Sequence, residues 1–173
     1  ASVLANWLVW LIPMVLIIGW FYGGAETRRT MILAALSGMF GLLANQLIGL
    51  AWTHPRPFIM GLGHTFIPHA PDSSFPSDHL TLWWAVAFTI FTNKALWRIG
   101  AILTLLGIPI AWARIYLGVH FPLDMIGAAI VGGLSTWLIR SQAHWYLDIV
   151  YKLTLSFYHW LCRRPIEWGW IDP

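Results

Sequence analysis

Three short polar clusters hold the residues able to do chemistry. They are Arg56-Pro57, then Pro76-Ser77-Asp78-His79, then Arg114 with His120 and Asp124. Arginine suits a tetrahedral phosphate, because its planar fork offers several donors and stays charged. Two arginines from different segments can clamp one phosphoryl group. The Ser77 hydroxyl adds a donor. Backbone N–H groups of Asp78 and His79, at an expected helix start, add more, with the positive end of the helix dipole behind them. Such donors stabilise charge developing on a transferring phosphoryl group. His120 and Asp124 are spaced to share one face of a helical turn. A carboxylate bonded to one ring nitrogen fixes the tautomer and leaves the other nitrogen free to attack. The expected roles are His120 as nucleophile, Asp124 as its orienter, and His79 as the acid that protonates the leaving oxygen. The path then runs through a phosphohistidine, hydrolysed by water that His79 activates.

The elements that must position these groups are built for lipid. Of 173 residues, 58% are hydrophobic and only 10% charged, against roughly 25% charged in a soluble domain. The chain is expected to form one domain, residues 1–173, of the all-α integral membrane class. Spans need about 20 mostly apolar residues. Five stretches meet or approach that: 3–22, 30–52, a shorter one at 79–93, 97–117 with Pro109 as a kink site, and 122–140 opening on Pro122. The tail, 144–161, carries Asp148, Lys152 and His159 among aromatic and aliphatic residues and suits a helix lying at the interface. Small residues in the second and fifth spans, such as Gly38, Gly41 and Gly132, permit close helix approach. The 13 Trp residues fit interfacial belts.

Basic residues set the orientation. Arg28, Arg29, Lys94, Arg98, Arg140, Lys152, Arg163 and Arg164 all fall on one side of a five-span chain. The positive-inside rule makes that side cytoplasmic. Of the 10 Lys and Arg, only Arg56 and Arg114 remain for the outer side, so topology does not explain them and chemistry must.

The three clusters, with five residues between Arg114 and His120 and three between His120 and Asp124, resemble the signature of the type 2 phosphatidic acid phosphatase superfamily. That resemblance implies a helical-bundle core shared with vanadium haloperoxidases and a metal-independent lipid phosphatase that needs no cofactor. There are three departures. Gly49 stands where the family often has a phosphate-binding lysine, and His54 is a possible accessory in its place. Asp78 replaces the usual glycine, and Ala113 precedes Arg114 instead of serine. The runs Phe75-Pro76-Ser77-Asp78-His79 and Tyr116 to Met125 are similar to bacterial undecaprenyl-pyrophosphate phosphatases. The resemblance then implies hydrolysis of undecaprenyl diphosphate to the monophosphate and phosphate. This would recycle the carrier lipid of peptidoglycan synthesis on the outer face of the inner membrane. Arg56, Ser77, Asp78 and Arg114 would bind phosphate. Phosphatidylglycerophosphate, phosphatidate, lipid A phosphates and phosphoryl transfer to another lipid share the same kit.

Blander readings exist for several positions. His64 and His69 read as solvated loop residues, and Asp72 as a turn residue. Asp78 reads as a helix N-cap, and Cys162 as packing. One cysteine excludes an intrachain disulfide and any zinc site built on two or more cysteines. The net charge of +3, with no long basic run, gives no nucleic-acid surface. Partners are the lipid substrate and the surrounding membrane lipids. A transporter or proton relay would need polar residues spread through mid-helix positions, where the chain offers little beyond Asn45 and Gln46. A metal site on the outer histidines is a third class.

Overall fold

The computed structural model describes residues 7–62, 66 and 69–171; the first residues of the expected 3–22 span and His64 lie outside them. Among the described residues there are seven α-helices: α1 Leu11–Tyr22, α2 Ala25–Ala51, α3 Asp78–Phe91, α4 Trp97–Tyr116, α5 Pro122–Ser141, α6 Ala143–Leu161 and α7 Arg163–Glu167. A 3-10 turn, Leu8–Trp10, leads into α1. By length and composition α2, α4 and α5 can each cross a membrane. With 14 residues, α3 is about 21 Å long. It is shorter than a bilayer core.

That short helix is the centre of the bundle, packed against α2, α4 and α5. Leu80, Ala85, Val86, Ala87 and Ile90 are fully buried. Trp83 and Trp84 reach α4, where their indole N–H groups donate to the carbonyls of Leu103 at 2.6 Å and Thr104 at 3.3 Å. The small residues do the work expected of them. A Cβ on Gly38 would meet Leu82, one on Gly41 would meet Thr81, and one on Gly132 would come within 3.0 Å of the Ala85 backbone. Large apolar side chains on the outer faces of α2, α4 and α5 stay exposed, including Leu43, Leu47, Ile102, Leu105, Ile108, Ile126, Ile130 and Leu134. A continuous apolar exterior of this kind needs lipid, not water, around it.

The second helix begins at Ala25, ahead of the apolar run that starts at Thr30. Gly24 is extended and Glu26 occupies the first turn, where an acid complements the helix dipole. Arg28 and Arg29 are thus already helical. Arg29 pairs with Asp148 of α6 at 2.6 Å, which holds the tail helix against the start of α2. Arg29, Lys94 and Arg140 line one cavity of about 530 Å³. Arg56 and Arg114 follow or lie near the far ends of α2 and α4, so the two sets of basic residues occupy opposite ends of the bundle.

Candidate active site

The site forms where the segment joining α2 to α3 meets the turn joining α4 to α5. Gly118 has φ +74°, a conformation cheap only for glycine. It lets the chain reverse after Arg114 so that the Val119 N–H donates to the Arg114 carbonyl at 3.3 Å. His120 follows, and Pro122 opens α5 at a position where its missing N–H costs nothing. Asp124, in the first turn of α5, accepts the Phe121 N–H at 2.8 Å. The same turn that caps the helix therefore sets the His120–Asp124 pair.

His120 is 3% exposed, Arg56 5% and Arg114 1%. The His120 Nε2 lies 3.1 Å from Arg56 Nη1 and 3.3 Å from Arg114 Nη2. Guanidinium N–H groups only donate, so Nε2 must accept and the ring proton sits on Nδ1. There it faces two acceptors, the Ser74 carbonyl at 3.0 Å and Asp124 Oδ2 at 3.2 Å. Asp124 Oδ2 also takes a short hydrogen bond from the Ser74 hydroxyl. The imidazole is thereby neutral, fixed in one tautomer, and presents a lone pair between two cations. Burial lowers its pKa to about 4, and repulsion from Arg114 and Arg56 adds to this against the pull of Asp124.

Arg56 is anchored on all sides. It donates to Asp72 Oδ1 at 2.8 Å, to the Val119 carbonyl at 2.9 Å and to the Ser73 carbonyl at 3.3 Å. The Ser77 hydroxyl is fully buried and has no hydrogen-bond partner among the described residues. A buried donor without a partner costs free energy unless a ligand supplies one. His79, in the first turn of α3, lies within electrostatic reach of Arg114, His120, His69 and Arg56. So Arg56, Arg114, His120 and Asp124 are gathered in one place, with His79 beside them.

Two expected site residues turn elsewhere. The Asp78 carboxylate accepts from Asn45 Nδ2 at 2.8 Å and Gln46 Nε2 at 3.4 Å, tying α3 to α2. The N-cap is Ser77, not Asp78, so any phosphate contact from Asp78 falls to its backbone N–H. His54 packs edge-on against Phe121, ring centroids 5.4 Å apart, and lines an apolar cavity of about 610 Å³ with Trp52, Phe75 and Ile126. Gly49 abuts Ser73.

Three residues join the site that spacing did not single out. His69 is no solvated loop residue: its Nε2 lies 3.3 Å from Arg114 Nη2, and its ring stands edge-on to His120 with centroids 6.2 Å apart. Burial, and then the charge of Arg56, lower its pKa. Asp72 is the carboxylate partner of Arg56, and Ser74 holds Asp124. Their one sequence signal is the density of polar residues between Pro71 and Ser77, which has no fixed spacing to read.

An all-helical membrane scaffold with two buried arginines around an imidazole places the chain among membrane phosphatases. The chain belongs to the PAP2 superfamily, whose model matches residues 29–148. It is 34% identical to YbjG of Escherichia coli K12 over 99% of this chain and 86% of that protein. It is 32% identical to the undecaprenyl-diphosphatase BcrC of Bacillus subtilis 168 over 89% of this chain and 80% of that protein. The crystal structure of LpxE from Aquifex aeolicus superposes with TM-score 0.63 at 24% identity, covering 81% of this chain and 80% of LpxE. That likeness establishes the shared fold.

Proposed function

We propose that this protein hydrolyses undecaprenyl diphosphate to undecaprenyl phosphate and inorganic phosphate on the outer face of a bacterial cytoplasmic membrane. The observation that carries the reading is the His120 Nε2 lone pair, held between the Arg56 and Arg114 guanidinium groups. A tetrahedral phosphoryl group drawn to both cations meets that nitrogen first. His120 attacks the terminal phosphorus, and the bond from that phosphorus to the bridging oxygen breaks. His79 gives its proton to the departing prenyl phosphate. Asp124 and the Ser74 carbonyl stabilise the Nδ1–H as the ring takes on positive charge. Arg56, Arg114, Ser77 and the N–H groups at the start of α3 hold the equatorial oxygens. Water activated by His79 then splits the phosphohistidine.

The diphosphate reading is supported by the likeness to BcrC. The apolar cavity lined by Phe121, Ile126 and Asp124 supports a lipid substrate, since it offers a prenyl chain an apolar surface that shares Asp124 with the site. In this arrangement α1 and α3 complete a five-span bundle with α2, α4 and α5, and α6 lies at the inner interface. No metal or cofactor takes part. The test is phosphate release by the purified protein from undecaprenyl diphosphate, phosphatidylglycerophosphate, phosphatidate and lipid A, with and without chelator. Preference for the diphosphate, insensitive to chelator, is expected. No release from the diphosphate overturns the substrate assignment.

A further inference from the structure

Arg114 Nη2 stands 3.3 Å from His120 Nε2 and also 3.3 Å from His69 Nε2. One guanidinium thus bridges two imidazoles, and the reaction path uses only one of them. By the donor rule applied to His120, His69 Nε2 accepts as well, and its Nδ1 lies 3.2 Å from the Ala70 carbonyl. The His69 side chain is 19% exposed and that of His120 2%. His69 therefore lines the mouth and His120 the floor.

A monophosphate needs one anion seat. A diphosphate needs two adjacent seats with a bridging oxygen between them. The second phosphoryl must lie next to the first, within reach of a cation that serves both. Arg114, with its several N–H groups spread along the fork, meets that geometry. Resting on the assignment of His120 as nucleophile, we propose that His69 and Arg114 form a second phosphoryl subsite, which receives the leaving phosphate of a diphosphate substrate and makes the enzyme selective for diphosphates.

On binding, phosphate oxygens displace the imidazole lone pair from Arg114. His69 takes up a proton from solvent and becomes a donor to the incoming oxygen. The charges of Arg56 and Arg114 oppose that proton in the empty site, Asp72, 4.0 Å from its Nδ1, favours it, and the neutral His120 ring faces it edge-on. The phosphate dianion tips the balance. A monophosphate seated over His120 leaves the His69–Arg114 bond intact.

The test is calorimetric titration of the full chain in detergent with methylenediphosphonate, a non-hydrolysable diphosphate mimic, and with orthophosphate. The wild type should bind the diphosphonate more tightly. His69→Ala should weaken the diphosphonate ~10-fold and orthophosphate less than ~2-fold. His69→Gln, which keeps an acceptor for Arg114 but carries no charge, should show the same selective loss at smaller size. Equal loss of both anions in the two variants, or no loss in either, overturns the subsite. Lipid assays run alongside separate the two ideas. Selective diphosphonate binding without turnover of undecaprenyl diphosphate sinks the carrier-lipid reading and leaves the subsite standing.

Discussion

Arg56 Nη1 and His120 Nε2 lie 3.1 Å apart although they are 64 positions apart in the chain. The contact fixes the imidazole's protonation, because a guanidinium leaves Nε2 no choice but to accept. It also fixes Arg56, which donates in addition to Asp72, Val119 and Ser73. Both side chains are thus held in place before a phosphoryl group arrives, and pre-set donors of this kind account for much of enzymatic rate enhancement.

Arg56→Lys is expected to lower kcat/KM by ~100-fold, the scale of losing a pre-set donor to the transition state. Lysine keeps the charge but cannot reach Val119, Ser73 and the phosphoryl at once. Steady-state kinetics on the purified variant checks this, and activity within a few-fold of wild type contradicts it.

Ser74→Ala removes the hydroxyl that holds Asp124 Oδ2 but keeps the carbonyl facing His120 Nδ1. Partners that orient a reacting ligand from behind typically contribute ~10-fold or more. We expect kcat to fall by that amount with little change in KM, since Ser74 acts through Asp124 and not on substrate. A KM effect alone would count against this role.

Asp72→Asn should cost much less. Asp72 is 59% exposed and its partner Arg56 6%, so solvent screens the pair and Arg56 keeps its two backbone acceptors. A change of roughly threefold or less in kcat/KM is expected, in line with exposed ion pairs worth 0–1 kcal/mol.

The acid limb of the pH profile reports His120. Its pKa is lowered to about 4 from an ordinary 6.5, so the attacking lone pair persists to well below pH 6. kcat/KM for the free enzyme should lose activity from His120 protonation only as pH falls towards 4. The sign for stability follows from the same shift. The unfolded chain protonates this histidine below 6.5 and the folded chain does not, so the contribution of His120 to stability falls as pH drops from 6.5 to 4. An acid limb near pH 6.5 that vanishes in the His69→Gln background would assign that limb to His69 instead.

Much of this is legible in the amino-acid sequence. The spacing of Arg114, His120 and Asp124 encodes one turn and the start of one helix, so local geometry alone brings the last two together. Arg56 and His79 were legible by their residue types, because topology gave no reason for an arginine on the outer side. The helices followed from apolar runs, and their ends differed where polar residues continue a helix beyond lipid, as Arg28 and Arg29 do. His69, Asp72 and Ser74 were not legible. They lie in an irregular segment whose path depends on tertiary packing, including the Phe75 ring, which occupies the space a Cβ on Gly127 would take. Asp78 does not act as a cap for a similar reason: its partners, Asn45 and Gln46, come from a helix more than 30 residues away.

The central claim is that His120 carries the phosphoryl group. Its most direct test is a rapid alkaline quench of the enzyme turning over a polyprenyl diphosphate labelled in its terminal phosphate, followed by peptide mass spectrometry. The account predicts labelled phosphate on the His120 peptide in the wild type, and neither label nor phosphate release in His120→Ala. Label on any other residue, or wild-type turnover by the His120→Ala protein, would contradict it.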